Sequence, residues 1–371
     1  MENSKVFWMD MSAKPGNNIL QKFKNLIVRA GIEDIDFDKK FSAIKIHFGE
    51  PGNLSYIRPN YLKPLVDLIK GKGGRPFLTD ANTLYKGRRD NAVAHLESAY
   101  ENGFSPFSTG CPVIIADGLK GTDYHNIEIN KKHCKTAKIA SAIAEADIII
   151  TMTHFKGHEM TGFGGALKNI GMGSGSIGGK LEMHSSSKPI IIKEQCVGCR
   201  ICSNNCNANA ITMVDKKAVI NYDLCVGCGQ CVALCQYGAA SAEWDGDNSS
   251  KIVCEKIAEY SYAVLKNKPA FHINFLINVS PNCDCWNMND IPVIPDVGVF
   301  ASFDPVALDR ACIDFVNKSP VNENSCLNAH LHEKNLDKFK TVYPTIEWSA
   351  TLDYAEELGL GIQSYDLEFV K

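Results

Sequence analysis

Eight of the fifteen cysteines in this 371-residue chain fall between Cys196 and Cys235, in two runs of one spacing. The first is Cys196-x2-Cys199-x2-Cys202-x3-Cys206, and the second is Cys225-x2-Cys228-x2-Cys231-x3-Cys235. Three cysteines so close together present thiolates to three corners of an iron–sulfur cube, with the fourth corner taken from the other run. Cys235 is then expected to complete the set Cys196, Cys199 and Cys202, and Cys206 to complete Cys225, Cys228 and Cys231. Two [4Fe-4S] clusters held this way would relay low-potential single electrons. Gly198 and Gly227 let backbone amides approach the sulfurs, where hydrogen bonds tune the potential. The competing reading, four-cysteine zinc sites, uses cysteines in pairs rather than as triplets plus one. A disulfide scaffold would spread its cysteines through a short secreted chain, which this is not.

A second group of chemically capable residues follows short apolar runs. In open parallel sheets, ligands bind beyond the carboxyl ends of the strands. His47 and Glu50 follow the run Ala43–Phe48, and Asp80 and Asn82 follow Pro76–Thr79. Asp117 follows Pro112–Ala116, His154 and His158 follow Asp147–Thr153, and Cys283 and Cys285 follow Phe271–Val279. Taken singly, each is most simply a helix cap or a satisfied buried polar group. Together they point to a pocket. His154, His158 and Asp80 are candidate acid–base groups, with Lys168 to neutralise a carboxylate or phosphate. His47, His184, Cys283 and Cys285 are candidate cofactor ligands. A Cys-x-Cys pair in an extended strand holds its side chains about 6–7 Å apart, too far for one tetrahedral metal, whereas in a turn it can chelate. The other cysteines (111, 134, 254, 312 and 326) read as small buried hydrophobes.

The elements that would position these residues alternate. Beyond the strands above, Lys5–Met11 and Val293–Phe300 read as strands. Helices are expected over Asn18–Ala30, Pro59–Lys70, Arg89–Asn102, Ala137–Ala146, Ser250–Leu265 and Pro305–Asn317, the last opening with Asp304 as N-cap. This predicts an α/β fold with a mainly parallel sheet and flanking helices. The expected organisation is an α/β domain in two parts, 1–189 and 243–371, interrupted by a small α+β ferredoxin-like insert at 190–242. Ser185–Pro189 reads as the linker, and both flanks are expected to share one sheet.

Nine glycines in Gly157–Gly179 predict a loop. Gly164-Gly165 before Lys168 would set a helix start and a cation beside an anion. Gly173, Gly175 and Gly178 match G-x-G-x-x-G formally, but no strand leads directly into them, which disfavours a nicotinamide site.

A net charge of −3 and a pI near 6.4 argue against nucleic-acid or acidic-membrane binding. No apolar run approaches the roughly 20 residues of a membrane helix, and the first residues lack signal-peptide blocks. A cytoplasmic protein is the expectation.

The cysteine block resembles a bacterial two-cluster ferredoxin domain. That family places proline after each fourth cysteine, where Asn207 and Gln236 stand here, so the ligands carry over and the potential does not. The phrases IKIHFGEPGN, FLTDANTLYKGRRDNAVAHL, HFKGHEMTGFGGALKNIGMGSGS, NCDCW and PDVGVFASFDPVALDRA resemble, over nearly the whole chain, an uncharacterised iron–sulfur-centre family built on a domain of unknown function. His154–His184 also resembles, more distantly, a segment of the nickel-pincer lactate racemase family. That likeness implies acid–base chemistry at His158, cofactor attachment at Lys168 and metal ligation at His184. The Gly-Gly pair is displaced by one residue, and that family's other catalytic histidine has no counterpart near Asp80.

Three functions follow as expectations. One is an iron–sulfur oxidoreductase whose clusters pass electrons to a small-molecule substrate or a further cofactor, metal or flavin, at the strand ends. The second is a non-enzymatic carrier docking to a redox partner protein. The third is a racemase-like or group-transfer enzyme with structural clusters, whose turnover would persist with the clusters held in one redox state.

Overall fold

The apolar run Ile148–His154, buried at every position, has the composition of a strand covered on both faces, and it lies near the middle of the central sheet. The structure, a computed structural model, describes residues 3–84, 87–184, 189–206, 208–225, 231–232, 235, 237–242 and 250–371. Eight strands build the sheet: β1 (Ser4–Asp10), β2 (Phe41–Ile46), β3 (Arg75–Asp80), β4 (Val113–Ile115), β5 (Ile148–His154), β6 (Ala270–Leu276), β7 (Gly298–Ser302) and β8 (Tyr365–Phe369). Their order is β8-β1-β7-β6-β5-β2-β3-β4. Seven run parallel, and β7 alone is antiparallel, between β1 and β6. The fold is therefore the expected α/β type with a mainly parallel sheet.

Alternate residues of each strand face opposite layers. Ile44, Ile150 and Ile273 pack with Phe23, Leu26, Leu65 and Ile69 of the helices Ile19–Arg29 and Leu62–Gly71. Ala43 and Ile149 face the opposite layer, which includes the helices Ala166–Ser174 and Ser250–Leu265. The helix Pro305–Lys318 extends that layer and begins as expected: Asp304 accepts hydrogen bonds from the Val306 and Ala307 amides, with proline at the first turn.

β5 and β6 precede and follow the cysteine block, yet they are neighbours in register, Phe271 opposite Ile150 and Phe275 opposite His154. Both flanks of the block thus share one sheet. Pro189–Ile191 pairs antiparallel with Ala240–Ala242, so the ends of the block lie side by side. Within it, Ile211–Val214 and Lys217–Ile220 form a hairpin. The expected linker falls almost wholly outside the described residues.

Several local expectations are corrected. Ala137–Ala146 is not one helix. Tyr124–Glu128 and Thr136–Ala140 form a hairpin, and only Ser141–Glu145 is helical. The strand expected at Val293–Phe300 begins only at Gly298, and the helix expected from Arg89 begins at Ala92, capped by Asn91. Gly157–Gly179 is not a loop. It holds the hairpin Lys156–His158/Gly162–Gly164, the helix Ala166–Ser174 and the start of the helix Ile177–His184. Its glycines serve close packing: a Cβ on Gly171 would lie 2.3 Å from the Ile257 carbonyl oxygen. Among the described residues, no helix is long and apolar enough to cross a membrane.

Candidate active site

From β2 the chain proceeds outward to β3 and β4, and from β5 it proceeds the other way to β6. Connections that diverge in this manner open a crevice beyond the carboxyl ends of the adjacent strands, here β2 and β5. A cavity of about 740 Å³ lies there, lined by residues from β2, β3, β5, the glycine-rich segment and the loop after β6. His47, Asp80, His154, His158, Lys168, His184, Cys283 and Cys285 all line it. Asp117 does not; it is buried nearby and accepts from both the amide and the side-chain nitrogen of Asn82 at 2.9 Å.

One charged network continues β2 and β3. Lys45 Nζ lies 2.8 Å from Asp80 Oδ1 and donates to Asn169 Oδ1 at 2.9 Å. Arg89 Nε donates to Glu50 at 2.7 Å, while its Nη1 lies 3.0 Å from His47 Nε2. Burial opposes the charge on Asp80, but Lys45, then His47, His95 and Arg89, hold its carboxyl well below the ordinary range. Burial, followed by the Arg89 guanidinium, pushes His47 down to about 3, so its imidazole is neutral.

A second network anchors the loop after β6. His154 Nδ1 lies 2.9 Å from both carboxylate oxygens of Asp284, and its Nε2 faces the Ile277 and Asn278 carbonyls at 2.9 and 3.1 Å. Acceptors thus face both ring nitrogens, the Asp284 carboxylate at Nδ1 and two backbone carbonyls at Nε2. Lys156 Nζ donates to the His154 carbonyl at 2.9 Å and lies 3.3 Å from Asp284. Burial opposes ionisation of Asp284, yet His154 and Lys156 hold it well below the ordinary carboxylate range.

The third group joins the hairpin after β5 to the same loop. Cys283–Cys285 is a turn, closed by the Trp286 amide donating to the Cys283 carbonyl at 3.2 Å. One ligand atom each from His158, Cys283 and Cys285 lies within 4.8 Å of the others. Lys168 Nζ donates to Cys283 Sγ at 3.5 Å. A hydrogen bond from Cys285, with Lys168 and His158 adding to it, drives the Cys283 thiol well below its ordinary pKa. Lys168 sits in the first turn of Ala166–Ser174, whose leading amides at Ala166 and Leu167 are capped at 2.7 and 3.0 Å by the buried Asp309. Farther along, burial lowers Lys180 to about 8 and His184 to about 3, with His158 and Lys168 adding to the effect on His184.

Sequence reasoning missed Lys45, Arg89, Lys156, Lys180 and Asp284. Two of them carried a signal: Lys45 interrupts an apolar strand, and Asp284 separates two cysteines.

In the cysteine block, Cys196, Cys199, Cys202 and Cys235 line one small pocket, so the fourth cysteine of the second run joins three of the first. The Ala218 amide donates to Cys196 Sγ at 3.4 Å, the Ala240 amide to Cys235 Sγ at 3.4 Å, and the Ala210 amide to Cys206 Sγ at 3.2 Å. Gly198 has φ +74°, and a Cβ there would lie 2.3 Å from the Lys216 carbonyl oxygen. Cys206, Cys225 and Cys231 belong to the same small core. Cys228, Gly227, Asn207 and Gln236 lie outside the described residues. Val232, next to Cys231, packs against Leu84, Ile177 and Leu181 of the main body.

Comparison with known proteins adds little beyond family. No curated protein matches the chain. The lactate racemase apoprotein from Thermoanaerobacterium thermosaccharolyticum is a similar solved structure, at 14% identity and a TM-score of 0.43, covering 86% of this chain and 58% of that one. The chain thus spans little more than half the length of that protein. A family model matches residues 43–314, most of the chain, and the protein therefore belongs to the family described as a domain of unknown function, DUF362.

Proposed function

We propose that the protein is an iron–sulfur oxidoreductase that delivers single electrons to a small molecule or further cofactor in the cavity. Cys196, Cys199, Cys202 and Cys235 would hold one [4Fe-4S] cluster, and Cys225, Cys228, Cys231 and Cys206 the other. The amide donors to Cys196, Cys206 and Cys235 fit thiolate sulfur, whose charge such hydrogen bonds stabilise. When bound, the clusters supply low-potential single electrons.

One observation carries this reading. Val232, adjacent to the candidate ligand Cys231, packs on Leu84 and Leu181, and Leu84 also lines the cavity beside Lys180 and His184. That small apolar cluster thus touches both the cysteine block and the cavity. The exposed Val197 and Cys199 offer a face on which a redox partner protein would deliver electrons. A carrier alone has no use for a cavity in the ~300–1,000 Å³ range of small-molecule sites. Lys168 and Lys180 supply positive charge for a carboxylate or phosphate.

The test is purification without oxygen, with iron, sulfide, nickel, zinc and flavin measured per chain. About eight irons and eight sulfides are expected. Zinc with little sulfide would overturn the reading. Reduced clusters that discharge only into partner proteins, whatever stands at position 168, would replace the enzyme with a carrier.

A further inference from the structure

The loop after β6 and the hairpin after β5 bring His158 to two cysteines that lie more than 120 positions later in the chain, Cys283 and Cys285. We propose that His158, Cys283 and Cys285 bind one divalent, thiophilic transition-metal ion, of the zinc class, with its remaining coordination position open to the cavity. This site is separate from the cysteine block and does not depend on what that block holds.

The geometry carries the proposal. The three ligand atoms already lie within 4.8 Å of one another, a spread that small side-chain rotations bring to one ion. Two thiolates and an imidazole select zinc or its first-row neighbours over magnesium or calcium. The Met160 amide donates to His158 Nδ1 at 3.2 Å, and Thr161 Oγ1 lies 3.0 Å from the same nitrogen. Thr161 Oγ1 in turn donates to the Phe163 carbonyl at 2.7 Å. Nδ1 is therefore fixed by its own loop, and Nε2 is left to ligate in the tautomer whose Nδ1 proton Thr161 Oγ1 accepts. Three protein ligands leave the fourth position for a water or substrate, the pattern of catalytic rather than structural zinc. His158, Cys283 and Cys285 all line the cavity, and so does Glu159, whose Oε2 has no hydrogen-bond partner among the described residues. Lys168, 3.5 Å from Cys283, balances the charge of a second thiolate.

The experiment uses the full chain, purified without oxygen and with iron and sulfide counted. It is freed of loosely held ions by a chelator and titrated with Zn2+. Zinc-edge X-ray absorption ignores iron, so once the iron and sulfide count shows the cysteine block filled, it reports on this site. About one zinc per chain is expected, with two sulfurs near 2.3 Å and a nitrogen at about 2.0–2.1 Å. Cys283→Ser and His158→Gln should each weaken zinc binding roughly tenfold or more. Failure of the wild-type chain to retain zinc, a four-sulfur environment, or His158→Gln binding as tightly as wild type would each overturn the proposal. The wild-type spectrum and His158→Gln keep the test decisive should Cys283→Ser not fold.

Discussion

His154 and Asp284 form a fully buried pair, Nδ1 to carboxylate at 2.9 Å, that ties the end of β5 to the turn carrying Cys283 and Cys285. Asp284 stands between the two cysteines and also faces Lys156. The turn is therefore held by the partner charges of its own central residue. Asp284→Ala would leave His154 and Lys156 without that charge in a buried setting. A loss of about 3–5 kcal/mol is expected in denaturant unfolding, since removing one member of a buried pair strands the other. A loss below about 1 kcal/mol, the worth of an exposed pair, would show that water reaches the pair.

Gly157 lies directly against the loop after β6, its amide donating to the Ser280 carbonyl at 2.8 Å. A Cβ there would lie 2.1 Å from the Pro281 carbonyl oxygen. Gly157→Ala should push the two segments apart, costing about 1–3 kcal/mol of stability. It should also weaken Zn2+ binding, because His158 and Cys283 stand on opposite sides of the contact. Retention of both properties would place the flexibility elsewhere in the hairpin.

The shared pocket of Cys196, Cys199, Cys202 and Cys235 makes a prediction about paired substitutions. If these four hold one cluster, Cys199→Ser and Cys235→Ser damage the same cluster. The double variant should then retain about four irons of the roughly eight expected, as either single variant does. Complete loss of iron in the double variant, with half retained in each single variant, would mean that each run holds its own cluster.

Asp117 gives a pH prediction. Burial raises its pKa to about 6, above the ordinary value of 3.8. The folded protein therefore binds a proton more tightly than the unfolded chain. This carboxyl's stabilising contribution is present at low pH and is lost as pH rises from about 4 to 6, with a slope of up to about 1.4 kcal/mol per pH unit. Asp117→Asn keeps the acceptor for Asn82 and should flatten that part of the stability–pH curve. Chemical unfolding across pH 4–7 provides the measurement. An unchanged slope would mean that the carboxyl ionises as it does in water.

Features that depend on short-range spacing are legible in the residues alone. The cysteine runs, the buried β5 run and the Asp304-Pro305 helix start are local patterns, legible because each function needs its residues within a few positions of one another. The parallel sheet was legible for the same reason, and with it the idea that strand ends gather a pocket. Features that need distant parts of the chain to meet are not legible that way. Only the adjacency of β5 and β6 brings His158 to Cys283 and Cys285, and a one-residue gap says nothing about whether Cys283–Cys285 turns or extends. Charge count does not tell which lysines are buried, so Lys45, Lys156 and Lys180 emerged only once their partners were in place. The glycine-rich segment misled because glycine permits both flexible loops and helices packed at contact distance. What separates the two is the neighbour across the contact, such as the Ile257 backbone against Gly171, and that neighbour lies far away in the chain.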